Sequence, residues 1–486
     1  MAYKDLREWL RDVEARGELR KVSGASWDLE MASMTDMLQK EKKLEMPAVL
    51  FDDVPGYPHG FRNLFAITAS PWRIAHTLCL PEDQLERLSL VKNWRQKSKS
   101  LKLVPPRMVK EGPVHENVDT GDAVDLYKFP VPMCHDLDGG RYIGTACCVI
   151  QKEPDEGWVN LGTYRGMVID KNHLAFHAVE AQHGRSIANK YFSRGQNMPV
   201  AVAIGVDPAL YCTSCQPMTG WGVSEYDFAG GIKGQPLDVF QGMTGLPLPA
   251  TAEIIIEGEC RPGEFVDEGP FGEFHGYYAN LGMKPVKEPL MHIKAVYYRN
   301  NPIMTVASPS IPPHVSTLMG STLQTMSIWD KLDKLGIPGI KGVWCHEFAS
   351  GWYFIVVSIE QMYTGHSRVV GNITALSNTH SGRYVVVVED DIDPSDIEQV
   401  LWAMCTRRRP HEAIEIMTRC PATSTDPAIP MEEKLKYDIL PKPMYSSRAV
   451  IDACRPLEGK QGWYPIACVP ADLATKLRAN FSDFFK

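Results

Sequence analysis

Apolar residues near the start of the chain repeat at helical spacing. Between residues 6 and 13 they fall three or four positions apart, and Gly17 follows them. This spacing predicts an amphipathic helix that ends near the glycine, because glycine readily adopts the conformation that terminates a helix. A second helical stretch at 32–43 and a short apolar run at 48–51 extend the pattern. An N-terminal domain of mixed α and β structure is therefore expected.

The middle of the chain has a different pattern. Short runs of apolar and β-branched residues are separated by glycine and proline, which is typical of strands joined by turns. The runs are 146–151, 200–206, 252–257, 292–298 and 303–307. They predict a largely β middle domain, in the form of a barrel. A proline-rich segment at 104–131 precedes it and has the composition of an extended linker.

Helices and strands alternate again after this β-rich part. Apolar periodicity predicts a helix at 317–335 and strands at 353–359 and 384–388. A further helix is predicted to begin with Asp393 as its N-cap and Pro394 in its first position. The C-terminal part of the chain is therefore expected to be α/β.

The predicted fold class is α/β (α+β), with three domains. We place them at residues 1–115, 116–315 and 316–486, in a chain too long for one core. The last one ends in a helix with an apolar stripe made by Leu473, Leu477, Phe481 and Phe484. Such a stripe packs either on its own domain or on a second subunit, and both remain open.

Charge and composition exclude several classes of protein. The net charge of -8 argues against nucleic acid as the main partner, because phosphate binding needs a basic surface. No apolar run approaches the roughly 18 residues that a membrane span needs, so we expect no membrane partner and a cytoplasmic protein. Of the 12 cysteines, only Cys212 and Cys215 have metal-ligand spacing. Without a second pair of ligands, reduced buried thiols are favoured over zinc.

Two carboxylates flank a turn in the segment Glu268-Gly-Pro-Phe-Gly-Glu273. Glycine and proline exclude a regular helix or a central strand there. Two acids held close together do not both ionise cheaply, so one of them is expected to keep a proton and to act as an acid. The alternative is a solvated acidic turn, which is common for two acids at this spacing.

Other polar residues occur in order before this segment. Asn160 and Arg165 are five positions apart with Gly162 between them, and a bend at that glycine is needed if both face one cavity. His183 and Glu225 follow. An amide, an imidazole and a carboxylate form a reasonable ligand set for Mg²⁺ or Mn²⁺, although each residue alone is more often structural.

With these segments together, the chain resembles the UbiD family of reversible decarboxylases, which use prenylated FMN. The segments that carry the resemblance are Asp5-Leu-Arg-Glu-Trp-Leu10, 160–165, Gln182-His183, Ser224-Glu225, Glu268-Gly-Pro-Phe-Gly-Glu273, Val388-Glu-Asp-Asp-Ile-Asp-Pro394 and Leu401-Trp-Ala403. They run along nearly the whole chain. The resemblance implies an N-terminal α/β domain, a split β-barrel that binds the flavin, and a C-terminal domain that forms a homodimer or a higher oligomer.

The resemblance also implies a cofactor site. Asn160, His183 and Glu225 would hold a Mn²⁺ that binds the cofactor phosphate, with K⁺ nearby. Gln182 would lie beside the cofactor, and Arg383 would stand where family members commonly have a lysine near the phosphate. A flavin prenyltransferase would supply the cofactor.

The reaction implied by the resemblance is reversible decarboxylation through a covalent prenylated-FMN adduct. Arg165, Glu268 and Glu273 match the catalytic residues of the family. We expect Glu273 to donate the proton, with its pKa raised by Glu268, while Arg165 binds the substrate carboxylate and Glu268 orients Arg165. CO₂ would be the second product.

The substrate is left open by the sequence. An aromatic or heteroaromatic acid is favoured over a cinnamate-like acrylic acid. By family position Val179 and Gln182 border the pocket, and His314 either bonds a ring substituent or is structural. Two other classes remain. One is an FMN-dependent oxidoreductase, which gives the two glutamates no task, and the other is a non-catalytic assembly protein, in which the polar cluster is structural.

Overall fold

The computed structural model describes residues 3–178, 182–215, 219–279, 283–377, 382–436 and 444–485. The helices are α1 (Leu6–Ala15), α2 (Glu30–Lys42), α3 (Pro71–Thr77), α4 (Arg87–Ser100), α5 (His183–Ser193), α6 (Pro208–Cys215), α7 (Glu225–Lys233), α8 (Thr317–Lys334), α9 (His366–Leu376), α10 (Ile397–Thr406), α11 (Pro410–Ala413), α12 (Met431–Leu435) and α13 (Ala471–Asn480). The strands are β1 (Leu19–Ser23), β2 (Ala48–Asp52), β3 (Arg62–Phe65), β4 (Arg107–Met108), β5 (Asn117–Thr120), β6 (Cys147–Lys152), β7 (Val159–Gly162), β8 (Gly166–Asp170), β9 (His173–Phe176), β10 (Met198–Ile204), β11 (Asp238–Gln241), β12 (Pro247–Pro249), β13 (Ile254–Glu268), β14 (Val286–Tyr298), β15 (Ile303–Val306), β16 (Ile340–Cys345), β17 (Phe354–Ile359), β18 (Tyr384–Glu389), β19 (Ile414–Pro421) and β20 (Tyr445–Asp452).

The predicted N-terminal α/β region is present. Helix α1 is capped by the Asp5 side chain, which accepts a hydrogen bond from the Glu8 N–H, and it buries Trp9 and Val13. The adjoining sheet has the order β1-β2-β3-β15. Its last strand was expected in the middle domain, but β15 pairs in parallel with β3. The N-terminal sheet is therefore completed from a distant part of the chain.

The central sheet has the order β7-β6-β10-β13-β14-β9-β8, with β5 also paired to β14. Its edge strands, β7 and β8, are not paired with each other. Only residues 163–165 join them, which limits the gap between their ends to about 13 Å. The sheet therefore curls until its two edges lie side by side, as in a barrel with a split. Residues of both edges and of their connection reach the interior there.

A buried carboxylate ties the N-terminal helix to this sheet. Glu253 accepts hydrogen bonds from Arg7 Nε and Nη2, both at 2.8 Å, from Arg299 Nη1 at 3.3 Å and from the Ile303 N–H at 3.1 Å. Glu253 is fully buried. A buried anion is stable only with such partners, so helix α1, strand β14 and strand β15 are held in one arrangement.

The C-terminal sheet has the order β16-β17-β18-β20-β19, with α8 and α9 against it. The predicted start of α10 is wrong. Asp396 is the N-cap, because its side chain accepts hydrogen bonds from the N–H groups of Glu398 and Gln399. Asp393 caps the preceding turn instead, where it accepts from the N–H and the hydroxyl of Ser395.

The apolar stripe of the terminal helix is exposed on this chain. Leu473, Phe481 and Phe484 are 42%, 58% and 84% exposed. Contact with a second subunit stays a prediction. In the part of the chain that the structure describes, no helix combines the length and apolarity needed to cross a bilayer. Cys212 and Cys215 lie in α6 as free thiols, and burial raises the pKa of Cys215 to about 11.

Candidate active site

Three ionisable side chains meet in the interior, near the split of the central sheet. Arg165 Nε and Nη2 donate to the two carboxylate oxygens of Glu268, at 2.7 and 3.0 Å, and Nη1 donates to Glu273 Oε1 at 2.7 Å. Glu268 is fully buried, and Glu273 is 7% exposed. One guanidinium therefore holds both carboxyls. The structure brings together the three residues for which the sequence predicted catalytic roles.

The local backbone explains this meeting. Strand β13 ends at Glu268, and Gly269 follows with a φ of +88°, which side chains disfavour. The turn returns the chain so that Glu273 also reaches Arg165. The Phe271 ring lies against the guanidinium, with 4.5 Å between Arg165 Cζ and the ring centroid. Arg165 itself stands in the short connection between β7 and β8, so its position depends on the curl of the sheet.

Burial and pairing have opposite effects on the pKa values of Glu268 and Arg165. Burial alone would raise the pKa of Glu268, but the Arg165 guanidinium, together with a hydrogen bond from the Tyr142 hydroxyl at 2.9 Å, lowers the pKa of Glu268 to about 2. Burial disfavours the charged form of Arg165, but the two carboxylates outweigh it and raise the Arg165 pKa. Glu268 is therefore ionised at neutral pH. The Arg165 guanidinium bonds both Glu268 and Glu273, so a cation is shared by the two carboxyls.

A cavity of about 320 Å³ borders this group. Its wall contains Arg165 and Glu273 together with apolar side chains, among them Phe271, Ala307 and Met319. The volume suits a small ring compound. Because the cation and the carboxyl share one cavity, a ligand can place a carboxylate at Arg165 while one of its carbon atoms approaches Glu273.

The amide, imidazole and carboxylate of the predicted metal site stand on neighbouring elements. Asn160 is on β7, His183 begins α5 and Glu225 begins α7. The Leu161 N–H donates to Glu225 Oε2 at 2.7 Å, which places Glu225 beside β7. The Tyr164 hydroxyl accepts from Asn160 Nδ2 at 3.4 Å and from the N–H that follows His183 at 3.0 Å. These contacts link all three residues into one group.

The chemistry of this group fits a divalent cation. Burial raises the pKa of Glu225 to about 7, and a cation would favour its charged form. Burial lowers the pKa of His183, which keeps the imidazole neutral, as metal binding requires. Ser224 Oγ and Trp158 Nε1 are buried close by in sequence, with no partner among the described residues. Two helices begin here, and helix N-termini attract anions such as phosphate.

The remaining predicted pocket residues differ in their surroundings. Gln182 precedes α5 and lines the cavity. His314 also lines it, but Nε2 is 3.0 Å from the Phe274 carbonyl oxygen and Nδ1 accepts from the Ser316 N–H at 3.4 Å. Both ring nitrogens are thus used, which favours the structural role for His314. Val179 lies outside the described residues.

The structure does not bring Arg383 to the Arg165 group or to the predicted metal ligands. Its guanidinium pairs with Asp426 and lies over the Tyr353 ring, with 4.5 Å from Cζ to the centroid. These side chains line a small separate cavity of about 30 Å³, which shares only Phe274 and Thr425 with the larger one. The contacts of Arg383 therefore give no support to a role at the cofactor phosphate.

Sequence reasoning missed several residues of the site. Tyr142 hydrogen-bonds Glu268, and His177 lines the cavity with its Nδ1 2.8 Å from Glu288 Oε1. Arg185 bonds the other oxygen of Glu288. These are single residues outside any short motif, and the pairing of β9 with β14 brings His177 near Glu288. The only signal in the sequence was a polar residue directly after an apolar strand.

Comparison with known families covers most of the chain. Residues 10–90 match the 3-octaprenyl-4-hydroxybenzoate carboxy-lyase N-terminal domain, residues 107–312 the Rift-related domain, and residues 317–453 the C-terminal domain of the same family, UbiD.

Individual relatives also match this chain over most of its length. The chain is 32% identical over 425 residues to pyrrole-2-carboxylic acid decarboxylase of Pseudomonas aeruginosa, which covers 84% of this chain and 83% of that protein. It is 31% identical over 435 residues to phenolic acid decarboxylase of Bacillus subtilis, covering 86% and 87%. Among solved structures, the UbiD-class enzyme HmfF of Pelotomaculum thermopropionicum in complex with FMN has a TM-score of 0.82 at 26% identity, over 96% of this chain and 97% of that one. An evolved dimeric form of HmfF, in complex with prFMN, has a TM-score of 0.79 at 27% identity over the same shares.

Replacing Glu268 by glutamine should reduce stability in a pH-dependent way. A folded pKa of about 2, below the ordinary value near 4.5, stabilises the fold by about 3 kcal/mol at neutral pH. This contribution is present above pH 4.5 and is lost as the pH falls towards 2, because the wild-type carboxylate is then protonated. Urea unfolding of Glu268→Gln and wild type between pH 7 and 3 measures the difference.

The matched control is Asp267→Asn, which alters the adjacent, 58% exposed side chain. It should change the free energy of unfolding by less than about 0.5 kcal/mol. A difference between Glu268→Gln and wild type that stays constant from pH 7 to pH 3 would contradict the assignment of an ionised, paired Glu268.

Proposed function

The chain belongs to the UbiD family of decarboxylases, and from this membership we propose that it catalyses the reversible, non-oxidative decarboxylation of an aromatic or heteroaromatic carboxylic acid. One observation supports this most directly: Arg165 is hydrogen-bonded to both Glu268 and Glu273 at the wall of a cavity large enough for a ring. The named substrates of two relatives, a pyrrole acid and phenolic acids, agree with this class.

The cofactor in this proposal is prenylated FMN with Mn²⁺ and K⁺. When bound, prenylated FMN supplies the electron sink for the electron pair that the departing CO₂ leaves on an sp² carbon. Asn160, His183 and Glu225 would hold the Mn²⁺, and the N-termini of α5 and α7 favour the cofactor phosphate there. The cavity wall contains Tyr164, which hydrogen-bonds Asn160, so the two groups of residues adjoin one another.

The substrate carboxylate would bind at Arg165. A guanidinium forms strong charge-assisted hydrogen bonds with a carboxylate, and Glu268 fixes its orientation through two bonds. The apolar side chains in the wall, among them Phe271 and Met319, lower the local polarity and would strengthen these interactions. Glu268 stays ionised because of Arg165, so its task is to position the guanidinium and to balance its charge.

Glu273 is the proton donor in this proposal. The C–CO₂⁻ bond breaks, CO₂ leaves, and the carbon that keeps the electron pair takes a proton. Glu273 Oε1 accepts a hydrogen bond from Arg165, so we assign the proton to Oε2. In the reverse direction the same carboxylate removes the proton from that carbon. A third residue is not needed, because Arg165 holds both the substrate and the acid.

The proposal is tested by loading the protein with prenylated FMN, through co-expression with a flavin prenyltransferase, and by offering a panel of acids without oxygen. The panel contains pyrrole, furan, phenolic and cinnamate-type acids. We expect CO₂ release from a ring acid and deuterium uptake at the ring carbon that carried the carboxylate. Loaded protein that acts on no acid would refute the proposal. Oxidation of a nicotinamide by protein that carries ordinary FMN would favour an oxidoreductase.

Glu273→Gln should abolish turnover and keep the cofactor. Glutamine has nearly the same shape but no acidic proton, so kcat should fall by about 10²–10⁴-fold. Flavin absorbance and metal content should equal those of wild type. The control is Glu264→Gln, on strand β13 with a partly exposed side chain. A rate within threefold of wild type, roughly 0.6 kcal/mol, would exclude Glu273 as the donor.

His183→Ala should empty the cofactor site. Loss of one of the three proposed ligands should weaken metal binding by at least about tenfold, and a flavin whose phosphate that metal would hold should be lost with it. Metal analysis and flavin absorbance of the purified protein measure both. His411→Ala, at a largely exposed histidine, is the control and should keep both. Full loading of His183→Ala with metal and flavin would remove His183 from the ligand set.

A further inference from the structure

His177 has an unusual position in the cavity wall. Its side chain is 92% buried, lines the cavity and belongs to none of the groups assigned so far. The Nε2 atom is buried and has no hydrogen-bond partner among the described residues. A buried polar atom without a partner costs about 1–3 kcal/mol, so such an atom at a ligand cavity indicates that a ligand supplies the partner.

The contact of the other ring nitrogen fixes the tautomer of this histidine. Nδ1 lies 2.8 Å from Glu288 Oε1, and Arg185 donates to Glu288 Oε2. Both nearby carboxylates already pair with a guanidinium, Glu268 with Arg165 and Glu288 with Arg185, so charge balance is met with a neutral ring. Because a carboxylate oxygen accepts hydrogen bonds, the hydrogen of that neutral ring is on Nδ1. Nε2 then carries a lone pair and accepts. The partner that it lacks is therefore a donor, a hydroxyl or an N–H.

His177 and Arg165 are adjacent across the sheet. The His177 backbone N–H donates to the Arg165 carbonyl oxygen at 3.2 Å, and His177 Nδ1 is 3.7 Å from Glu268 Oε2. Both side chains line the same cavity. A ring acid whose carboxylate binds Arg165 thus has its ring within the same wall as His177.

We propose that His177 Nε2 accepts a hydrogen bond from the substrate, and that the substrate is consequently a ring acid with a hydroxyl or a ring N–H. Glu288 is a positioning residue that holds the ring in the accepting tautomer, and Arg185 orients Glu288. This inference rests on the proposed function and narrows it. Acids in which the donor is replaced by an ether oxygen or a methoxy group leave Nε2 unpaired and bring two acceptors together.

The test compares matched acids that differ only in the donor. Pyrrole-2-carboxylate is compared with furan-2-carboxylate, and hydroxybenzoates with their methoxy counterparts. In the loaded wild type, kcat/KM should favour the donor-bearing acid by about 10–100-fold. In His177→Leu this ratio should fall to near one. The same acid pairs are also compared by calorimetry in loaded Glu273→Gln protein, with and without the His177→Leu change. Because this protein should not turn over, the ratio of the two dissociation constants reports binding alone.

Glu288→Gln provides a second test that leaves His177 in place. Arg185 holds the amide oxygen of the new glutamine, so its NH₂ group faces His177 Nδ1 and donates to it. The ring hydrogen then moves to Nε2, which becomes a donor. The preference should reverse in favour of the methoxy and furan acids. A protein in which Glu288 is only structural would lose activity on both members of each pair equally.

His173→Leu is the matched control, because His173 is on β9, outside the cavity, and pairs with Asp170 and His292. It should leave the ratios unchanged. A donor preference that survives in both His177→Leu and Glu288→Gln overturns the inference and leaves the decarboxylase proposal intact. Loaded wild type that acts on no ring acid overturns both.

Discussion

The structure depends on one buried cation between two carboxyls. Without Arg165, Glu268 would be an unpaired charge in the interior, and a buried charge of this kind is far less stable than one in water. The guanidinium needs its partners for the same reason. This mutual dependence holds the end of β13 and the turn after it against the split of the central sheet. It also keeps a cation and a carboxyl side by side in the cavity wall, where electrostatic attraction to a ligand is stronger than in water.

The split of the sheet brings the two groups of residues together. Strand β7 carries Asn160, and the three residues after it lead to Arg165 and β8. Tyr164, in this connection, contacts the proposed metal ligand Asn160 through its hydroxyl and lines the cavity. Gly162 allows this packing, because a side chain there would collide with the Tyr164 ring. A short segment therefore sets the distance between the proposed metal ligands and the Arg165 group.

Part of this architecture could be predicted from the sequence, because it depends on local patterns. The spacing of Glu268 and Glu273 around a Gly-Pro turn, and the apolar periodicity of α1, are properties of short segments. Asp393 followed by Pro394 is typical of a helix start, but Asp396 offers the same side chain three residues later, and only the backbone decides between them. The pairing of Arg383 with Asp426 and of His177 with Glu288 depends on contacts between distant segments, which no local pattern reveals.

The parallel pairing of β15 with β3 has a consequence for biosynthesis. The N-terminal sheet lacks its fourth strand until the ribosome has made the chain beyond Ile303, which takes on the order of tens of seconds at usual elongation rates. The same strand contacts Glu253, the carboxylate shared with Arg7. The first hundred residues therefore cannot complete this sheet by themselves. One edge of β3 has no strand to pair with until β15 has emerged, and an unpaired strand edge is open to pairing with other chains during synthesis.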